Sequence, residues 1–109
     1  MAAKSDSIAE IHAAYADRTG EWFDANPVRV SVRGRVISKR VMGETSFVTI
    51  DDGRGQIVLC LQREIFGVRP DPFESFDVGD VLGGNGQLFR TKTRELWIKA
   101  TAVTVRRHR

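Results

Sequence analysis

A chain of 109 residues, 41% of them hydrophobic, has material for one modest core and too little for two. Charged residues at 28% place it with folded globular chains rather than disordered ones, and apolar stretches such as Ile57 to Leu61 are far too short to span a bilayer. The net charge of +3 is unevenly spread: residues 1–27 sum to −3, 28–50 to +4, 51–86 to −4 and 87–109 to +6.

Two basic blocks separated by an acidic one form a single phosphate-binding face if they fold side by side, and ordinary solvated strand faces if they do not. The N-terminus leads into no apolar h-region, and the lone Cys60 has no disulfide partner and no metal-ligand spacing. Both features point to a reducing cytoplasm with no membrane attachment, and Cys60 reads as a small core residue.

In chain order, Ser7 with Glu10 three residues on is a capping box, and Ile8, Ile11 and Tyr15 share one helical face. The spacing predicts one N-terminal helix that stops near Gly20, followed by a connector, Glu21 to Pro27, whose aromatics anchor it. From Val28 to Val41 apolar and cationic residues alternate around Gly34, which predicts a long strand bent at the glycine.

Met42-Gly43-Glu44 turns into a second strand, Ser46 to Asp51. Asp52-Gly53-Arg54-Gly55 turns into a third, Gln56 to Leu61. Residues 62–80, with Phe66, Gly67, Pro70, Pro72, Phe73 and Phe76, predict a short helix or irregular plug over an open barrel end. Val81 to Arg90 and Glu95 to Arg106 complete a hairpin around Thr91-Lys92-Thr93-Arg94.

A helix, three strands, a plug and two more strands is the layout of an all-β, five-stranded OB-fold Greek-key barrel with an N-terminal α-helix and a short helix between strands 3 and 4. An SH3-like barrel is the structural alternative, and an immunoglobulin-like sandwich needs about seven strands. The expected organisation is a helix and connector over 1–27, the barrel over 28–106 and a basic tail over 107–109.

Catalytic readings find little support. His12 and His108 lie far apart in sequence without a local Ser or Cys partner, and Gly83-Gly84-Asn85-Gly86 lacks the lysine and following helix of a phosphate loop and reads as a strand bend. Asp51 and Asp52, adjacent on a strand, face opposite ways and suit turn capping better than a metal or an acid-base pair.

Binding fits better. Phe47, beside Ser46 and Thr49, is either a core residue or a stacking platform on the face where OB folds hold bases. Lys39 and Arg40 can reach bases or phosphates; Glu95 is either a local partner of Arg90 or Arg94 or an acceptor for a base edge. Arg35, Arg90 and Lys92 add cations to the same two blocks.

Arg40-Val41-Met42-Gly43, then Ser46-Phe47-Val48-Thr49-Ile50, then Val78-Gly79-Asp80, then Gly86-Gln87-Leu88-Phe89-Arg90-Thr91-Lys92-Thr93-Arg94-Glu95-Leu96 resembles the N-terminal anticodon-binding domain of bacterial class II lysyl-tRNA synthetases. The resemblance runs from the first helix to about Thr104. It implies that Phe47 stacks on the middle anticodon uridine, that Arg40 contacts anticodon bases and that Glu95 helps to read a neighbouring uridine. Two positions depart from the family: Val58 stands where a hydrogen-bonding glutamine is usual, with Gln56 two residues away as a substitute, and Arg94 replaces a turn glycine.

The resemblance implies tRNA as partner, with homodimerisation as a further property, and no cofactor for this chain; ATP and magnesium belong to a catalytic domain that in the family follows this one. The expectation is therefore a binding module without catalysis of its own, either excised from a lysine-tRNA ligase or a freestanding paralogue. The alternatives are a single-stranded nucleic-acid binder without anticodon selectivity, and a protein-interaction module docking through Trp22 and Phe23.

Overall fold

The alternation after Val28 becomes strand β1 (Arg29–Met42) in the computed structural model, which describes residues 6–62 and 76–106. Val30, Val32 and Val36 enter the core, and Arg29, Arg33 and Arg35 stay exposed. Four further strands follow: β2 (Thr45–Asp51), β3 (Gln56–Gln62), β4 (Val81–Arg90) and β5 (Leu96–Arg106). They close in the order β1-β2-β3-β5-β4, with β4 returning to β1. The β3–β5 pair is parallel and the others are antiparallel. Among the described residues the sheet closes on itself, the β3–β5 link resting on three residue pairs.

Closure depends on β1 serving two neighbours. Arg29 to Arg35 pair with β4, and Arg35 to Met42 pair with β2. At the crossing, a Cβ on Gly34 would stand 2.7 Å from the Asp51 carbonyl oxygen, so the bend requires glycine. A register shift between Val36 and Ser38 then inserts one extra residue, a bulge that reverses which parity of side chain faces outward.

The helical segment differs from its sequence reading. Helix α1 (Ile8–Ala14) is capped as expected, Ser7 Oγ accepting from the Glu10 N–H at 3.4 Å, with Ile8 and Ile11 buried. Gly20, however, opens a second helix, α2 (Gly20–Ala25), where a helix stop and a connector were expected. The cause is Thr19, whose hydroxyl accepts from the Trp22 N–H at 3.1 Å, with Glu21 in the first turn. Phe23 on α2 is fully buried, and Tyr15, Trp22 and Phe23 pack edge and tilt at 5.2–6.0 Å.

Asp52 joins helix to barrel. One carboxylate oxygen accepts from the Ile8 N–H of α1 at 3.0 Å, and the other from Arg54 and Gly55 in its own turn at 2.9 and 3.0 Å. His12 Nε2 adds a 2.8 Å bond to the Gln56 carbonyl, which can only accept, so that nitrogen carries the proton. Asp51 accepts from the Gly53 N–H at 2.6 Å, so both aspartates cap the turn as their adjacency suggested.

Within the glycine run, Gly84 packs under Leu59 and Gly86 against Lys99 and Ala100, and β4 shifts register between Asn85 and Gly86. Phe76 is buried. The helix or plug expected around Phe66, Gly67, Pro70, Pro72 and Phe73, and the tail over 107–109, lie outside the described residues.

Burial disfavours the charged form of Asp52, but the N–H bonds from Ile8, Arg54 and Gly55 outweigh it and hold the carboxyl below its ordinary value of 3.8. A folded value below the unfolded one stabilises fully above pH 3.8, and the contribution fades as the pH falls towards the lower folded value. Asp52→Ala is therefore expected to lower unfolding stability by about 1 to 2 kcal/mol near neutral pH. Urea titrations should show the gap from wild type narrowing at acid pH, whereas a constant gap would refute the role given to the charge.

Candidate nucleic-acid interface

Alternation along β2 sends Ser46, Val48 and Ile50 inward and Thr45, Phe47 and Thr49 outward. Phe47 therefore lies on the outer face, half-buried, between Arg40 of β1 and Cys60 of β3. Cys60 in turn neighbours Lys99 of β5, which neighbours Gln87 of β4. This ladder puts an aromatic ring between exposed cations contributed by both basic blocks.

On β5, Leu96, Ile98 and Ala100 are buried, which leaves Trp97 and Lys99 facing outward. Trp97 pairs with Val58 of β3 and Phe89 of β4. Its ring lies 5.5 Å from Phe47 at an interplanar angle of 60° and 6.2 Å from Phe89 at 83°. The three rings form a ridge, and Trp97 at its centre stands between two hollows. The larger, about 700 Å³, is lined by Phe47, Phe89, Gln62, Gln87, Lys92 and Lys99. The smaller, about 470 Å³, is lined by Thr49, Gln56, Val58, Arg94 and Glu95, and Trp97 borders both.

Glu95 is held before any ligand arrives. Its N–H donates to Thr91 Oγ1 at 3.0 Å, and Thr93 Oγ1 donates to Glu95 Oε2 at 3.0 Å. The 3.0 Å bond between the two threonine hydroxyls therefore runs from Thr91 to Thr93, which closes a cooperative loop around the hairpin tip. Trp97 Nε1 donates to the other carboxylate oxygen at 3.5 Å. The tip closes with Arg94 at φ 68°, the left-handed region that favours glycine.

The sequence candidates fall into three groups. Phe47, Lys92, Glu95 and Gln56 line the hollows and Arg40 pairs with Phe47 beside them, with the Gln56 amide donating to Asp51 at 3.2 Å. Arg35 is exposed but pairs with Asp51, four residues along β2 from Phe47. Lys39 and Arg90 have their cationic ends engaged by backbone carbonyls, although Arg90 also lines both hollows. The bulge turns Lys39 to the Val48 side of the sheet, where its ammonium donates to the Phe76 carbonyl at 2.8 Å and sits over that ring. Arg90 donates to the carbonyls of Tyr15, Arg18 and Arg94 at 2.6, 3.0 and 3.2 Å, so it clamps the α1–α2 junction to the barrel and does not turn to Glu95.

Trp97, Phe89 and Lys99 were missed as site residues. The alternation Leu96-Trp97-Ile98-Lys99 places Trp97 outward, but its position beside Val58 and Phe47 follows only from the parallel β3–β5 pairing. Beneath them Cys60 is buried, and desolvation pushes its thiol up to about 11 while Lys99 opposes the shift. It is a weak nucleophile at neutral pH.

Comparison with known proteins agrees with this geometry. Residues 30–106 match the tRNA anti-codon family, described as an OB-fold nucleic acid binding domain. The chain is 45% identical over 96 residues to lysine-tRNA ligases of Thioalkalivibrio sulfidiphilus and Serratia proteamaculans, a span of 86% of this chain and 19% of each relative. It is 43% identical over 103 residues to that of Azoarcus sp., 92% of this chain and 20% of the relative. The chain thus spans about a fifth of the length of the curated relatives it matches.

Arg94→Gly should relieve the left-handed strain and raise stability by about 1 kcal/mol, read as a higher denaturation midpoint. A lower midpoint would show that the arginine makes contacts that outweigh its backbone conformation.

Proposed function

This chain belongs to the tRNA anti-codon family of OB-fold nucleic acid binding domains, and on that premise we propose that it grips the unpaired anticodon loop of a lysine tRNA. The observation that carries the reading is Phe47, half-buried on the outer ladder with Arg40 directly across one strand pair and Lys99 two strands away on the other side. A base stacked on an aromatic ring contributes roughly 1 to 3 kcal/mol, and neighbouring cations neutralise the phosphates on either side.

Glu95 supports base discrimination. Both of its oxygens are already oriented by Thr93 and Trp97, so the carboxylate faces an incoming N–H donor without first losing rotamer freedom. Where the chain forms part of a longer lysine-tRNA ligase, it would hold the anticodon, and lysine activation with ATP and magnesium would fall to a separate catalytic domain.

Val58 favours a second reading. It lies between Thr49 and Trp97 and offers no hydrogen-bonding side chain where the resembling synthetases carry glutamine. A site held by stacking and charge alone is a general single-strand binder.

One titration separates these readings: fluorescence anisotropy of a labelled lysine-anticodon stem-loop, a loop with its uridines changed to cytidines, and Phe47→Ala with each. Anticodon reading predicts tighter binding of the uridine loop, affinity that falls with salt, and a loss of about 1 to 3 kcal/mol in Phe47→Ala. Equal binding of the two loops would favour the general binder, and no binding of either would overturn both.

A further inference from the structure

Taking the nucleic-acid reading of this face as given, we propose that Trp97 is a second base-stacking residue, which takes the nucleotide next to the one stacked on Phe47. Trp97 is not needed to fill the core: Leu96, Ile98 and Ala100 of the same strand point inward, and Trp97 is left half-buried on the outside. A large ring in that position is available to a ligand, and indoles combine wide contact area with few rotatable bonds.

Its pose is fixed from three sides. Phe47 and Phe89 abut the ring at 5.5 and 6.2 Å, and the indole N–H reaches Glu95 at 3.5 Å. Little conformational freedom remains to be lost on binding. The angle of 60° between the Phe47 and Trp97 rings means that bases stacked on the two cannot stack on each other. The pair therefore suits a strand whose successive bases are splayed, as in a single-stranded loop.

The hollow beyond Trp97 defines what the second nucleotide meets. Val58 lies directly across the β3–β5 pair, Thr49 lies beyond it, and the Glu95 carboxylate stands at the rim. Val58 adds apolar contact without a hydrogen bond, and Glu95 can only accept, so the second base is held by stacking and must present an N–H edge. Arg94 on the same rim supplies a cation for its phosphate.

The test uses the indole as its own reporter. Trp22 and Trp97 are the tryptophans of the chain, so Trp22→Phe leaves emission from Trp97 alone. Titration of that variant with the lysine-anticodon stem-loop should quench the emission, which requires no change at Trp97. In parallel, Trp97→Ala should weaken binding by at least about fivefold, the lower end of what one stacked base contributes, and Trp97→Phe should restore most of it.

The proposal is overturned if emission is unchanged on saturation, or if Trp97→Ala, with its circular dichroism intact, binds within that fivefold while Phe47→Ala weakens binding. Either result leaves anticodon-loop binding standing. It is also overturned if Trp97→Phe is as weak as Trp97→Ala, which would make Trp97 a positioning residue for Glu95. Failure of every loop to bind the unaltered chain would remove the functional reading first, and this inference with it.

Discussion

Everything on the outer face depends on how β1 bends. One strand must pair with β4 through Arg29 to Arg35 and with β2 through Arg35 to Met42, and it does so by passing Gly34 across the Asp51 backbone where no side chain fits. The bulge that follows moves the outward positions from odd to even numbers. Arg40 thereby faces outward beside Phe47, and Lys39, its neighbour in sequence, turns to the buried Phe76. Without the extra residue their roles would be exchanged. The local geometry of a bend thus decides which cation is offered to a ligand.

Around that frame the face is organised before anything binds. The helices are tied to the barrel by Asp52, His12 and Arg90 through backbone groups. The Thr91-Thr93-Glu95-Trp97 chain of hydrogen bonds aims a carboxylate along the ridge. Acid within a basic sector weakens phosphate attraction, which fits the use in choosing among bases proposed for Glu95. Val58, in the same hollow, brings no hydrogen-bonding side chain.

The barrel was legible in the sequence because its signals are local: alternation in β1, β2 and β5, glycine turns between β1, β2 and β3, and a hairpin at Thr91 to Arg94. Phe47, Arg40 and Glu95 stood out as candidates for the same reason, reinforced by resemblance to a known domain. What escaped was non-local or depended on register. The bulge shows in the sequence only as the apolar doublet Val36-Ile37, after which the alternation changes parity, so Lys39 and Arg40 looked equivalent. Arg90 looked like a phosphate contact because a cation at a strand end does not reveal the two carbonyls waiting at the α1–α2 junction and the third at the hairpin tip. Trp97 acquires meaning only once β5 lies parallel to β3. Gly20 was misread because Thr19 outranks it: a capping hydroxyl with Glu21 behind it starts a helix more strongly than one glycine ends one.

The central claim, that single-stranded RNA is held on the Phe47–Trp97–Phe89 ridge, is tested most directly by amide chemical shifts of the labelled chain titrated with a lysine-anticodon stem-loop. The account predicts that the largest shifts fall at Arg40, Phe47, Val58, Glu95 and Trp97. It predicts little change along the Arg33, Gly83 and Thr104 ladder at the other end of the barrel. Shifts concentrated on that ladder or on α1 and α2, with the ridge unmoved, would contradict it.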